Sequence, residues 1–265
     1  MSVLEPVSSA LAAVVAGAHH VLASLGADPG SGATWVLCIA AVVVVVRLAL
    51  LPVVAHGVRM AHASARARPQ MQALTTSYHG RTDADSLRQF RAERRAIAEE
   101  HQMSRLGCLP LLLQMPVWMG LYHLLMKVSS DTAVGAMTVG LVTSFGAATV
   151  LGSPLTERGY LGGGATHLLV VAGLALMAAG LSFATQHFLV ARNTVTEGVH
   201  ETVLSAQRVL PVLSAASLLV TGGFVPLALL VYWVCSQAWT LGQTAVIVRW
   251  FPTPGTAAAA RAVGS

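Results

Sequence analysis

Thr34–Ala55 reads TWVLCIAAVVVVVRLALLPVVA, and every residue in it but Arg47 is uncharged. A helix that crosses a bilayer needs about 20 predominantly apolar residues. This stretch meets that requirement, so it reads as a transmembrane helix with one residue out of place. The rest of the chain has the same character. Of its 265 residues, 55% are hydrophobic and only 10% are charged. A soluble domain carries about 25% charged residues. The deficit excludes an ordinary water-soluble enzyme or DNA-binding domain.

Four further apolar runs follow: Leu106–Val128, Ala165–Val190, Val209–Thr221 and Pro226–Val248. The third of these is short for a bilayer, so it borrows residues from Ser205 onward or lies where the membrane is thinned. Before the first span, Leu4, Val7, Leu11, Val14, Ala18, Leu22 and Leu25 recur at helical spacing between polar residues. That pattern predicts an amphipathic helix in the membrane interface. Ala133–Leu151 is uncharged but rich in Gly, Thr and Ala, and an interfacial position is expected for it as well.

Cytoplasmic loops carry an excess of Lys and Arg, and this bias selects among topologies. With five spans and the N-terminus outside, 13 of the 16 basic residues fall on the cytoplasmic side. Only Lys127 and Arg158 fall outside, and Arg47 lies within a span. If Ala133–Leu151 also crossed, the split would drop to 10 against 5. The fold class is therefore an all-α polytopic membrane protein with five spans. Its parts are an extracytoplasmic N-terminal segment (1–33), the first span (34–55), a cytoplasmic segment (56–105) and four further spans (106–250). The last region includes an extracytoplasmic loop (129–164) and a cytoplasmic loop (191–208), and a short cytoplasmic tail (251–265) follows. Segment 56–105 has two helical stripes, Met71, Leu74, Tyr78 and Leu87, Phe90, Ile97. They flank a turn at 79–85 and predict a helical hairpin whose first arm Pro69 should break or kink. In the loop 191–208, Val195, Val199 and Val203 suggest one short amphipathic helix.

Arg47 lies roughly 12 Å from the cytoplasmic end of its span at helical rise. An Arg near the bilayer centre costs about 2.5–3.5 kcal/mol on insertion scales. It can snorkel toward the cytoplasm past a helix loosened at Pro52, pair with an acid, or line a water-filled cavity. No other span contains Asp or Glu. Gln114, Tyr122 and His123 in the second span, Gln186 and His187 in the third, and Tyr232, Ser236, Gln237 and Gln243 in the last are the other intramembrane polar groups. Such groups commonly join helices, and together with Arg47 they could instead line one groove. Cys38, Cys108 and Cys235 have no disulfide or zinc spacing. No catalytic motif or phosphate loop is present, so neither an enzyme nor a cofactor or metal site is expected.

Several motifs in order resemble one family. Arg47 opens Arg-Leu-Ala-Leu-Leu-Pro. The charged hairpin follows, then Gly107-Cys108-Leu109-Pro110 with Leu113-Gln114-Met115-Pro116, and finally Val231-Tyr232-Trp233 before Trp239-Thr240-Leu241-Gly242-Gln243. This order is similar to that of the YidC/Oxa1/Alb3 membrane protein insertases, in the bacterial short form without a large extracytoplasmic domain, over roughly residues 30–250. The resemblance implies a five-helix core in the plasma membrane with a hydrophilic groove open to the cytoplasm. It implies Arg47 as the groove charge, with Gln114, Tyr232, Trp233 and Gln237 lining the groove. Its implied partners are nascent membrane proteins, the lipid bilayer, a Sec-type translocon and the ribosome, with no nucleic-acid binding of its own. Pro226-Leu227-Ala228 and Gln237 depart from the family pattern, as does the short tail with only Arg261, which weighs against tail-mediated ribosome binding. The competing readings are a small-anion channel or transporter using Arg47 as its anion site, and a non-catalytic assembly subunit that docks through the hairpin.

Overall fold

The computed structural model describes residues 5–103, 109–196 and 201–263. Its helices are α1 (Glu5–Ser24), α2 (Gly32–Ala49), α3 (Leu51–Ser77), α4 (Ala84–Glu100), α5 (Leu109–Val128), α6 (Val139–Ala147), α7 (Gly164–Ala184), α8 (Glu201–Gly222), α9 (Leu227–Trp250) and α10 (Ala257–Val263). A π-helical turn, Thr185–Val190, and a 3-10 turn, Ala191–Asn193, extend α7. Gly107 and Cys108 of the Gly-Cys-Leu-Pro motif lie outside the described residues.

Among the described residues, four helices are long and apolar enough to cross a membrane: Glu5–Ser24, Gly32–Ala49, Gly164–Asn193 and Leu204–Gly222. One of these differs from the sequence reading and one follows its first alternative, residues borrowed from Ser205 onward. By length and composition α1 fits a span as well as an interfacial helix. The short run at 209–221 becomes a full-length segment because α8 starts at Glu201. By contrast α9 is long enough at 24 residues but carries Ser236, Gln237, Thr240 and Gln243 across its middle, which lowers its mean hydropathy. Of the stripe Val195, Val199 and Val203, Val195 is non-helical and Val203 belongs to α8, while Val199 lies outside the described residues.

The apolar run 34–55 is not one helix. It stops at Ala49 and restarts at Leu51, with Leu50 between them at φ −87°, ψ −3°. Pro52 explains the restart, because its missing N–H is tolerated in a first turn and not in a helix interior. Pro69, expected to break or kink the hairpin arm, lies inside the unbroken helix α3. Turn 78–83 then leads to α4, whose N-cap Asp83 accepts a hydrogen bond from the Ser86 N–H at 2.8 Å. The two arms meet through Tyr78, which packs edge-on to Phe90 and donates to Glu93 Oε1 at 2.8 Å.

The core lies at the end of the bundle away from this hairpin. Trp35, Cys38, Ile39, Val42 and Val43 of α2 meet Leu121, Leu124, Leu125 and Val128 of α5 and the first turns of α9. Leu227 through Leu230 are fully buried. Trp35 stacks near His19 at 4.6 Å and meets Phe145 edge-on at 5.2 Å. Segment 133–151 contributes α6, only nine residues long, and a strand, β1 (Thr149–Val150), antiparallel to β2 (Ser153–Pro154). At about 1.5 Å per residue α6 is too short to cross a bilayer. It packs Val142 and Phe145 into the core instead.

This cap is tied down by backbone hydrogen bonds. The first N–H groups of α9 have no partner within the helix. Here Leu227 donates to Glu157 O and Ala228 to Leu155 O, both at 2.9 Å. Buried His167 is held between the Ser153 hydroxyl and Gly159 O. Gly32 runs so close to Thr149 that a Cβ on it would lie 1.8 Å from the Thr149 carbonyl oxygen. Any larger residue there would push the β1 ribbon off the bundle.

Candidate functional site

Arg47 sits in the last turn of α2, two residues before the helix ends. A cation in a last turn meets the partial negative charge of the unpaired carbonyls, which favours it. The guanidinium reaches across to α9. Its Nη2 donates to Ser236 Oγ at 2.8 Å and to Thr240 Oγ1 at 2.9 Å. Thr240 also donates to Ser236 O, one helical turn back. Both hydroxyls are neutral, so they orient the charge without cancelling it. The guanidinium fork carries further N–H donors on Nε and Nη1, and no described residue accepts from them.

These groups face a cavity of about 600 Å³. Arg47 enters it from α2, Leu50, Val53 and Val54 from the restart into α3, and Gln114, Met115 and Trp118 from α5. From α9 come Tyr232, Trp233, Ser236, Gln237 and Thr240. Among the described residues, Arg47 is the one charged side chain that lines the cavity. The structure thus brings Arg47, Gln114, Tyr232, Trp233 and Gln237 to one cavity. Met115 and Trp118 are half exposed, which leaves one side of the cavity open.

The α9 backbone explains the shape. Its buried N-terminal turns seal the far end of the bundle. Tyr232, Ser236 and Thr240 follow at i, i+4 and i+8, so they share one face. Tyr232 and Trp233, still buried, form the floor where the sealed half meets the open half. Val54 also borders a second, mostly apolar cavity of about 440 Å³ between the start of α3 and the end of α9, with Arg59 and Gln243 in its wall.

Other polar groups noted in the sequence go elsewhere. Gln186 donates to Ser214 Oγ at 2.5 Å and to Ser182 Oγ at 3.3 Å, joining the π-helical turn to α7 and α8. Gln243 accepts from Trp239 Nε1 at 3.1 Å within α9. His187 stacks on Phe183. The contact that sequence reasoning missed is the Arg47 clamp. The i, i+4 spacing of Ser236 and Thr240 was visible, but their approach to α2 depends on packing between segments nearly two hundred residues apart.

The chain is also similar to known proteins. A family model described as 60Kd inner membrane protein matches residues 27–254. A membrane protein insertase YidC of Streptomyces avermitilis is 27% identical over 257 residues, covering 93% of this chain and 58% of the relative. A Bifidobacterium longum protein of the same name is 26% identical over 97% of this chain and 78% of its own length. Another, from Tropheryma whipplei, is 28% identical over 97% of this chain and 87% of its own length. The chain therefore spans little more than half of the Streptomyces relative and most of the other two. With a family model matched over most of its length, the chain belongs to the 60Kd inner membrane protein family, the YidC/Oxa1 insertases.

Proposed function

We propose that this protein inserts nascent membrane proteins by receiving their polar, translocated segments in the Arg47 cavity. The observation that carries this reading is the cavity itself: one uncancelled guanidinium and a set of polar side chains inside an otherwise apolar bundle. Moving a polar segment through hydrocarbon is the expensive step in insertion. A polar cavity open toward the basic side of the protein shortens the hydrocarbon path that segment must cross. The charge of Arg47 attracts carboxylates, and the attraction is stronger than in water because the surroundings are of lower dielectric. The mostly apolar cavity that shares Val54 offers the following hydrophobic segment a seat between α3 and α9. Transfer of that segment into lipid supplies the driving force, so no nucleotide is needed.

Orientation follows from charge. The basic hairpin α3–α4 faces the cytoplasm with the C-terminus, the N-terminus is extracytoplasmic, and the sealed cap faces outward. In this reading α5 and α9 span the membrane with α2, α7 and α8, while α1 lies along the interface. The hairpin is the cytoplasmic element that first meets substrate, a ribosome or a Sec-type translocon.

Depletion and complementation test this directly. Arg47→Ala and Arg47→Glu should reduce insertion of substrates with acidic translocated tails by about tenfold or more, since one such charge contact is worth at least about 1.4 kcal/mol at intermediate dielectric. Arg47→Lys should retain part of the activity. Protein level and thermal stability in detergent identify any variant that fails to fold. Full complementation by both Arg47→Ala and Arg47→Glu would remove the charge from the mechanism.

A further inference from the structure

A cavity with three arginines lies apart from Arg47, at the hairpin-side end of the bundle. It has a volume of about 410 Å³, and Arg192, Arg249 and Arg261 all line it. Its walls include Phe188, Leu189 and Val248, and no lining residue is acidic. Arg192 lies at the end of the apolar segment Gly164–Asn193, and Arg249 in the last turn of α9. Arg261 arrives on α10, which the chain folds back against the bundle. The Thr253 N–H donates to Asn193 Oδ1 at 2.8 Å, and Thr256 caps α10 through the Ala259 N–H at 3.3 Å. Thr253, Thr256 and Ala258 are buried by this docking. Among the described residues, none of the three guanidinium groups has an ion-pair or hydrogen-bond partner.

We propose that this cavity binds the headgroup of an anionic phospholipid from the same-side leaflet. Three like charges brought together repel one another, and a phosphate that accepts from all of them relieves that repulsion. The apolar wall selects the source of the phosphate. Phe188, Leu189 and Val248 stand where the apolar run meets the basic end, so acyl chains lie along them while the phosphate sits among the arginines. A basic pocket at a helix boundary suits such a headgroup, whereas a soluble polyanion gains nothing from the apolar wall. The lipid would also fasten α10, because Arg192 and Arg249 belong to the transmembrane bundle and Arg261 to the tail.

Native mass spectrometry of the full chain, offered equal amounts of phosphatidylglycerol and phosphatidylcholine, tests the site. The wild type should retain phosphatidylglycerol with a preference of about tenfold. Arg192→Gln/Arg249→Gln/Arg261→Gln should lose that preference, and Arg261→Gln alone, at the protein's periphery, should lower it severalfold. The charge-matched hairpin variant Arg88→Gln/Arg91→Gln/Arg94→Gln should keep it. Retained preference in the triple variant, or equal loss in the hairpin variant, would overturn the site. So would displacement of the lipid by inorganic phosphate or by an RNA oligonucleotide at matched phosphate concentration.

Discussion

Arg47 is held by two hydroxyls, and this choice of partner decides what the residue can do. A carboxylate partner would have cancelled the charge. Ser236 and Thr240 fix its direction and leave it positive. Removing the hydroxyls should therefore matter less than removing the charge. Ser236→Ala/Thr240→Val is expected to slow insertion of acidic-tailed substrates roughly threefold, the scale of one net hydrogen bond, against tenfold or more for Arg47→Ala. In vitro insertion kinetics on both variants check the order. Arg47 stood out in the sequence because a lone charge in an apolar span demands an explanation. Its partners did not, because hydroxyls on spanning helices are common and their facing helix cannot be read from spacing.

At the level of elements, the packed and open halves of α9 divide the molecule. The packed half leans on Trp35, which is fully buried, touches His19 and Phe145, and donates from Nε1 to Ser144 Oγ at 3.3 Å. Trp35→Ala should cost about 3–5 kcal/mol and lower the thermal midpoint in detergent well below that of Trp35→Phe. The hairpin makes a separate, pH-dependent prediction. The Ser86 N–H holds the Asp83 carboxyl below the ordinary carboxylate range. Its capping contribution is thus complete above the unfolded Asp pKa of about 3.9 and is lost as pH falls through the lower folded value. The Ser86 amide chemical shift should titrate with a midpoint below about 3.9; a midpoint at or above it would contradict the cap. The turn and its cap were readable from His79–Asp85, but other elements were not. Pro69 was expected to break or kink the first arm, and α3 continues through it without a break. The break at Leu50 sits beside Pro52, where a loosened helix was expected, although the run was read as one span. Ala133–Leu151 gave no periodicity, since Gly, Thr and Ala fix no face, and its α6 and β-ribbon exist because the core receives Val142 and Phe145.

The whole molecule is closed at one end and open at the other. The cap from α6 to the start of α9 seals the first, and the cavity, the hairpin and most of the positive charge occupy the second. Composition made the membrane class plain, and the sorting of the arginines is what the proposed orientation rests on. The depth and closure of the cavity depend on how α2, α5 and α9 pack, which no local pattern encodes. Site-specific photocrosslinking measures the central claim most directly. A photoreactive residue at Met115 or Leu218, both lining the Arg47 cavity, is compared with one at the exposed Leu176 of α7. Ribosome-bound nascent chains with an acidic translocated tail are the targets. The account predicts crosslinks from Met115 and Leu218 to the tail that weaken in an Arg47→Ala background, with little from Leu176. Equal capture at all positions, or capture unaffected by loss of Arg47, would contradict it.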